Sequence, residues 1–291
     1  MLKEWPLVAF TVLGQMAVGV FLCFHAPFLV RGRAPSPGWF VTWLVVLAVV
    51  VFLQGLATVV SLFHLRHPVR ARFVLSNLRS SWLSREILFE LVFLGLVALS
   101  GWLAWLRAPS RGLHAGLVGA AGLAGVLFLL SMAKLYMLPA QPVWSGAYTP
   151  LSFLLTTLVL GTVATELVVR GVAGPGVFAL DLAAVALALA VAEIGLAALA
   201  APRHGARGVR PGPSLRRVGG AALSAHRARI ALLAAGCASL AWDLASGGND
   251  ILNERGWGAP LVLAFAFLLA GETAGRLHFY GLVGRPSERA S

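Results

Sequence analysis

The stretch TVVSLFHLRHPVRARFVLSNLRSSWLSREILFE, residues 58–90, joins the end of one long apolar run to the start of the next. The first run ends at Phe63. A basic segment follows, beginning His64-Leu65-Arg66-His67-Pro68, and a second apolar run starts near Ser84 with Arg85 and Glu86 in its first turn. Each flanking run is long enough, as a helix, to cross a hydrocarbon core of roughly 30 Å. The chain therefore leaves a membrane at His64 and re-enters it on the same face at Glu86. Two titratable groups end up on one face, each at a helix end. Within the interruption Val69, Phe73 and Leu78 can share a side while Arg70, Arg72 and Arg79 point elsewhere, the pattern of a short interfacial helix.

The rest of the sequence repeats this alternation. It is 59% hydrophobic and only 12% charged, against about 25% charged in soluble domains, and its mean hydropathy is +0.85. The fold class is all-α, a polytopic membrane helix bundle forming a single integral membrane domain. Eight transmembrane helices are expected at about 5–29, 40–63, 84–106, 114–137, 150–170, 177–200, 227–246 and 259–280. The first run is too long for the apolar part of a cleavable leader and is read as a span. Between spans 6 and 7 lies a basic, Gly/Pro-rich loop, 202–229, read as extended.

The net charge of +12 does not point to nucleic acid, because the arginines lie between apolar runs. Most of them fall in alternate loops, above all in 64–85 and 202–229. The positive-inside rule then puts both termini and the 64–83 segment in the cytoplasm. A docking face for an acidic partner would select the same bias. Cys23 and Cys237 both lie inside apolar runs and form no CxxC pair. An iron–sulfur cluster needs four such ligands, so the protein is expected to hold none. The seven histidines fall mostly at span ends or in loops, which argues against haem and gives no metal site.

Several motifs resemble the dimethyl sulfoxide reductase anchor subunit family (DmsC-type). Lys3-Glu4-Trp5-Pro6-Leu7-Val8-Ala9-Phe10-Thr11 looks like its opening. Ser61-Leu62-Phe63-His64-Leu65 followed by Pro68-Val69-Arg70-Ala71 fits as well. Leu83-Ser84-Arg85-Glu86-Ile87-Leu88-Phe89 is the most specific match, and Lys134-Leu135-Tyr136-Met137-Leu138 and Thr149-Pro150-Leu151-Ser152-Phe153 continue the pattern. The resemblance covers about 1–165. It implies the membrane anchor subunit of a molybdopterin oxidoreductase complex in a bacterial cytoplasmic (inner) membrane, serving anaerobic electron transport. Such an anchor binds and oxidises menaquinol. It passes electrons to a four-cluster iron–sulfur subunit that feeds a molybdopterin catalytic subunit. The anchor itself then carries no haem, iron–sulfur cluster or molybdopterin and is not an enzyme on its own.

Quinol oxidation releases two protons and two electrons, so hydrogen-bonding groups must meet the ring hydroxyls and one of them must take a proton. Histidine titrates near neutrality, and His64 sits where span 2 meets the interface. The blander role for His64 is a favourable cation at a helix C-terminus. Glu86 is the expected proton acceptor, although a carboxylate in a helix's first turn after a Ser84 cap is also ordinary stabilisation. Glu90 lies one turn deeper on the same face, as a second relay. Arg85 can pair with Glu86 or face a headgroup. Tyr136 and Lys134 end span 4 on the same face and can line the pocket. His67 is expected to turn toward water. Arg66, Arg70, Arg72 and Arg79 suit partner docking or membrane lipids.

Glu166, Asp181, Glu193, Asp243 and Glu272 lie in or near the later spans. Pairing with arginines or interhelical hydrogen bonds is the simple explanation. A rival of a different class is a secondary transporter or ion-translocating membrane protein using buried Glu193 and Asp181. The sequence shows no convincing internal repeat and no broken span, which weighs against it. A purely structural anchor with no quinol pocket is a third reading.

Overall fold

The computed structural model describes residues 5–31, 39–63, 76–106, 111–137, 144, 146–174, 181–205, 213–247 and 258–281. These residues form eight long helices and no strand. They are α1 (Trp5–Arg31), α2 (Trp39–Leu62), α3 (Trp82–Trp105), α4 (Arg111–Tyr136), α5 (Tyr148–Ala173), α6 (Leu182–Gly205), α7 (Pro213–Ala245) and α8 (Ala259–Gly281). All eight are long and apolar enough to span a membrane. Successive helices alternate in direction. One face of the bundle therefore carries the starts of α1, α3, α5 and α7 and the ends of the others; it is called the N-terminal face below.

Two boundaries differ from those expected. α3 starts at Trp82, because Ser81 in extended conformation (φ −108°, ψ 119°) accepts a hydrogen bond from the Ser84 N–H. Ser81, not Ser84, is the N-cap. This moves Glu86 into the second turn, where the helix-end argument for a carboxylate weakens. The basic loop shrinks from both sides. α6 runs on to Gly205, and α7 starts at Pro213, fourteen residues earlier than expected. Proline is well suited to a first helical position, and the alanines, leucines and arginines after it favour the helix. The composition of 202–229 had suggested coil, but only 206–212 interrupts the two helices.

α1 and α5 form the centre. α1 touches four other helices and α5 five, and the two are parallel, in register from Gln15 beside Phe153 to Cys23 beside Thr162. Their backbones meet at Gly19 and Gly161. A Cβ on Gly19 would lie 2.1 Å from the Thr157 carbonyl oxygen, and one on Gly161 2.4 Å from the Gly19 Cα. Small residues permit such approaches between membrane helices. The threonines of α5 return their hydroxyls to carbonyls one turn back, Thr157 to Phe153 and Thr165 to Gly161. That satisfies polar groups where no water is at hand. His25 is likewise settled: its Nδ1–H bonds the Phe21 carbonyl, and its Nε2 accepts from the Trp43 indole at 3.0 Å.

The packing recurs. α1–α4 close on themselves with α1 touching α2 and α4, and α5–α8 do so with α5 touching α6 and α8. Across the seam α1 meets α8 and α4 meets α5. Two parallel four-helix halves thus share the α1–α5 contact, a repetition with no visible counterpart in the sequence.

Candidate functional site

Buried polar groups gather near the N-terminal face. On α3, Glu86 and Glu90 stand one turn apart and are 2% and 3% exposed. Glu90 accepts hydrogen bonds from the Gln54 side-chain amide (3.0 Å) and the Thr58 hydroxyl (2.6 Å), both on α2. Glu90 is thereby a satisfied link between α2 and α3. Glu86 is different: its Oε2 has no hydrogen-bond partner among the described residues.

Within electrostatic reach of Glu86 lies a pair of tyrosines. The hydroxyls of Tyr136, at the end of α4, and Tyr280, in the last turn of α8, are 2.9 Å apart. Glu86 is close enough to act electrostatically on both. The Tyr136 ring is walled by Trp144, Phe153 and Phe279, and the Trp144 indole donates to the Phe279 carbonyl. Lys134, two residues earlier, is exposed to the outside of the bundle. Arg85 makes no ion pair with Glu86 among the described residues. It donates to the carbonyls of Leu78 (2.8 Å) and Arg79 (2.7 Å), with its guanidinium 4.3 Å over the Trp82 ring. Arg85 therefore ties the turn before α3 to the helix. Arg79 is exposed. His64, His67, Arg66, Arg70 and Arg72 lie outside the described residues, as does the interfacial helix expected there; His64 follows Phe63, the last described residue after α2.

A second cluster lies one helix layer away. Arg229 of α7 pairs with Glu193 of α6 (2.5 Å) and reaches Glu272 of α8 (3.4 Å) and the Tyr148 hydroxyl (3.1 Å). Thr156 of α5 donates to Glu272 at 2.8 Å. Arg276 of α8 donates to the Gln15 carbonyl oxygen (2.7 Å) and to Thr156 (3.2 Å), stacked 3.8 Å from the Phe153 ring centre. Gly275 makes this possible, because a Cβ there would come 2.7 Å from the Arg229 Nε. Beside these groups is a small cavity lined by Tyr148, Ser152, Arg229, Glu272, Arg276 and His278. It has room for about one water.

Toward the opposite face, Arg170 joins Glu166 (2.6 Å) and Asp243 (2.9 Å). Asp181 is exposed and caps α6, accepting from the Ala183 and Ala184 N–H groups. The transporter reading needed Asp181 buried with Glu193. Asp181 instead sits at the other end of α6, and Glu193 is held by Arg229. The arginine pairing expected for Glu166, Asp243, Glu193 and Glu272 is what the geometry shows. No group of three or more metal-ligating side chains occurs among the described residues. Sequence reasoning missed Tyr280, Arg276, Arg229, Gln15 and Thr156. The available signal was Arg229 and Arg276 within apolar helices, a costly placement that marks interior partners.

Eight helices with a Glu-bearing α3 beside the end of α2 match the arrangement implied by the motifs in 58–90. The family described as "DMSO reductase anchor subunit (DmsC)" matches residues 1–194. The protein belongs to the DMSO reductase anchor subunit family. The DmsC match covers α1–α5 and most of α6, while Arg229, Glu272, Arg276 and Tyr280 lie beyond it. Full-length relatives extend further. The C subunit of the anaerobic dimethyl sulfoxide reductase of Escherichia coli (strain K12) is 31% identical over 291 residues, covering 96% of this protein and 94% of the relative. YnfH, an anaerobic dimethyl sulfoxide reductase subunit of the same organism, is 29% identical, with the same coverage. The corresponding C subunit of Haemophilus influenzae is 33% identical over 160 residues, 55% of this protein and 56% of the relative. No solved structure matches. As a DmsC protein this is a multi-pass membrane anchor subunit of a reductase complex.

Proposed function

We propose that this anchor binds and oxidises menaquinol at the N-terminal face and passes the electrons to a partner subunit of an anaerobic dimethyl sulfoxide reductase-type complex. The observation that carries this is Glu86, a deeply buried carboxylate with one oxygen unpartnered among the described residues, within electrostatic reach of the Tyr136–Tyr280 hydroxyls. An ionisable group in a membrane span is costly to keep without use, and a quinol hydroxyl is the donor that such an oxygen accepts. His64 meets the second ring hydroxyl in this reading, while Glu90, Tyr136 and Tyr280 support Glu86. The electrons leave to a partner iron–sulfur subunit and from there to a molybdopterin subunit, because the anchor's two cysteines are too few to ligate a cluster. Arg66, Arg70, Arg72 and Arg79 dock that partner or anionic lipid. The complex sits in the bacterial inner membrane, and the basic N-terminal face with both termini is cytoplasmic by the positive-inside rule.

The test is oxidation of a reduced menaquinol analogue by membranes holding the assembled complex. His64→Ala and Glu86→Gln are each expected to slow it about 100-fold, with normal assembly and normal turnover from an artificial donor. Wild-type rates in both would leave only the anchor role. Loss of partner binding would make 58–90 a docking surface instead.

A further inference from the structure

We infer that Glu90 is held as the neutral acid, donating its own proton to Thr58, and that it serves the quinol site as a positioning residue and not as a second relay. The consequence for quinol oxidation rests on the site assignment above; the proton on Glu90 does not.

Taken alone, the 2.6 Å contact between the Thr58 hydroxyl and Glu90 Oε1 reads as a threonine donating to a carboxylate. The neighbouring bond decides otherwise. Thr58 Oγ1 also lies 2.9 Å from the Gln54 carbonyl, one turn back on α2. A hydroxyl has one hydrogen. Two acceptors stand around it, and the oxygen positions leave open which of them receives it. Thr157, Thr162, Thr165 and Thr273 each give their hydrogen to the carbonyl four residues back, where the membrane offers no water. Thr58, doing the same, presents only a lone pair to Glu90. A bond at 2.6 Å then takes its hydrogen from the carboxyl side, and only the acid form has one.

Charge points the same way. Glu90 is 3% exposed and makes no ion pair among the described residues. Its partners on α2, Gln54 and Thr58, are neutral. Arg85, on the same helix, donates to the carbonyls of Leu78 and Arg79 instead. Glu166, Glu193 and Glu272, by contrast, each meet an arginine. A carboxylate buried in a span without a cation is costly, and taking a proton removes that cost.

The two carboxyls of α3 thus have separate tasks. Glu90 is closed: Oε1 accepts from the Gln54 amide and donates to Thr58, joining α2 to α3. Glu86, one turn nearer the N-terminal face, keeps Oε2 open among the described residues. Like charges one turn apart on a helix repel. A neutral Glu90 leaves Glu86 to carry negative charge alone, as a proton acceptor must. The same link holds the end of α2, from which the chain runs on to His64, against the turn of α3 that bears Glu86. Neither of the two protons that a quinol releases passes through Glu90, whose own proton stays in place through the cycle.

The experiment compares Glu90→Gln, Glu90→Leu and Glu86→Gln in the assembled complex, by infrared spectroscopy at neutral pH and by oxidation of the menaquinol analogue. The wild-type spectrum is expected to contain a protonated-carboxyl C=O band that Glu90→Gln removes and Glu86→Gln keeps. Glutamine mimics the neutral acid here. One amide hydrogen meets Thr58, and the other meets Gln54 once that side chain turns its Oε1, unpartnered among the described residues, toward it. Glu90→Gln is therefore expected to oxidise the analogue near the wild-type rate. Glu90→Leu, which breaks the link, is expected to be slower by about 10-fold or more. A relay needs an ionisable group, so a Glu90→Gln as slow as Glu86→Gln overturns the positioning role. A spectrum that loses no band in Glu90→Gln overturns the proton assignment, and so does failure of Glu90→Gln to assemble. Should Glu90→Leu not assemble, the band and the Glu90→Gln rate decide between them. Wild-type rates in Glu86→Gln remove the quinol site, while the infrared band still decides whether Glu90 holds its proton.

Discussion

Arg229 carries more of this bundle than any residue that the motifs in 58–90 single out. It is 3% exposed and answers two carboxylates and a tyrosine from three other helices. Removing it leaves Glu193 and Glu272 facing each other without that cation. Breaking a buried pair from one side costs about 3–5 kcal/mol. Arg229→Met is therefore expected to lower the thermal midpoint of the detergent-solubilised protein clearly. Arg79→Met, at an exposed site, leaves that midpoint unchanged. The two residues look alike in sequence, an arginine close to an apolar run. Only the packing of α7 against α8 separates them. The same holds for Tyr136 and Lys134, two positions apart and equally plausible as pocket residues. A helix turns them to different sides, and Tyr136 goes inward while Lys134 goes out. Glu86 and Glu90 were legible because a carboxylate in an apolar run stands out wherever it falls. Tyr280 was not, since a tyrosine near a membrane helix end is commonplace and its value comes from Tyr136, far away in the sequence.

At the level of elements, hydropathy located all eight helices, because crossing a hydrocarbon layer imposes a length that composition reveals. It misjudged where α7 begins. The residues from Pro213 form a helix beyond the apolar stretch that starts at Ser224, and no hydropathy window registers a polar helical extension. It also gave α3 the wrong cap by three residues, which changed the argument about Glu86. The α1–α5 crossing is the element-scale feature with the sharpest consequence. A Cβ on Gly161 would lie 2.3–2.7 Å from Gly19 backbone atoms, and backbone cannot rotate aside as a side chain can. Gly161→Val is expected to destabilise the bundle by about 3 kcal/mol, read as a lower thermal midpoint. Gly195→Ala, where a Cβ meets nothing within 4 Å, serves as the control and is expected to cost nothing.

For the whole molecule, the two four-helix halves divide the work. The first carries the family motifs, Glu86, and the Gln54–Thr58–Glu90 link. The second carries the arginine–glutamate cluster and the cavity. Tyr136 and Gln15 on one side, and Tyr280 and Arg276 on the other, are where they meet. This also sets an order of events as the protein is made. α1 precedes the other seven helices and is one of the two most buried, yet the partner for its Gln15 amide, the Phe153 carbonyl, arrives some 138 residues later. Until α5 is threaded in, α1 holds a buried glutamine and a bare glycine face with nothing to meet them. A fragment ending at residue 137 is expected to be cleared rapidly by membrane proteases, whereas co-expression with residues 138–291 should rescue it, as followed by pulse-chase. α1 can rest on α2 and α4 at once, but the ribosome must be half-way through these 291 residues before the Gln15 and Gly19 side of α1 is covered by α5.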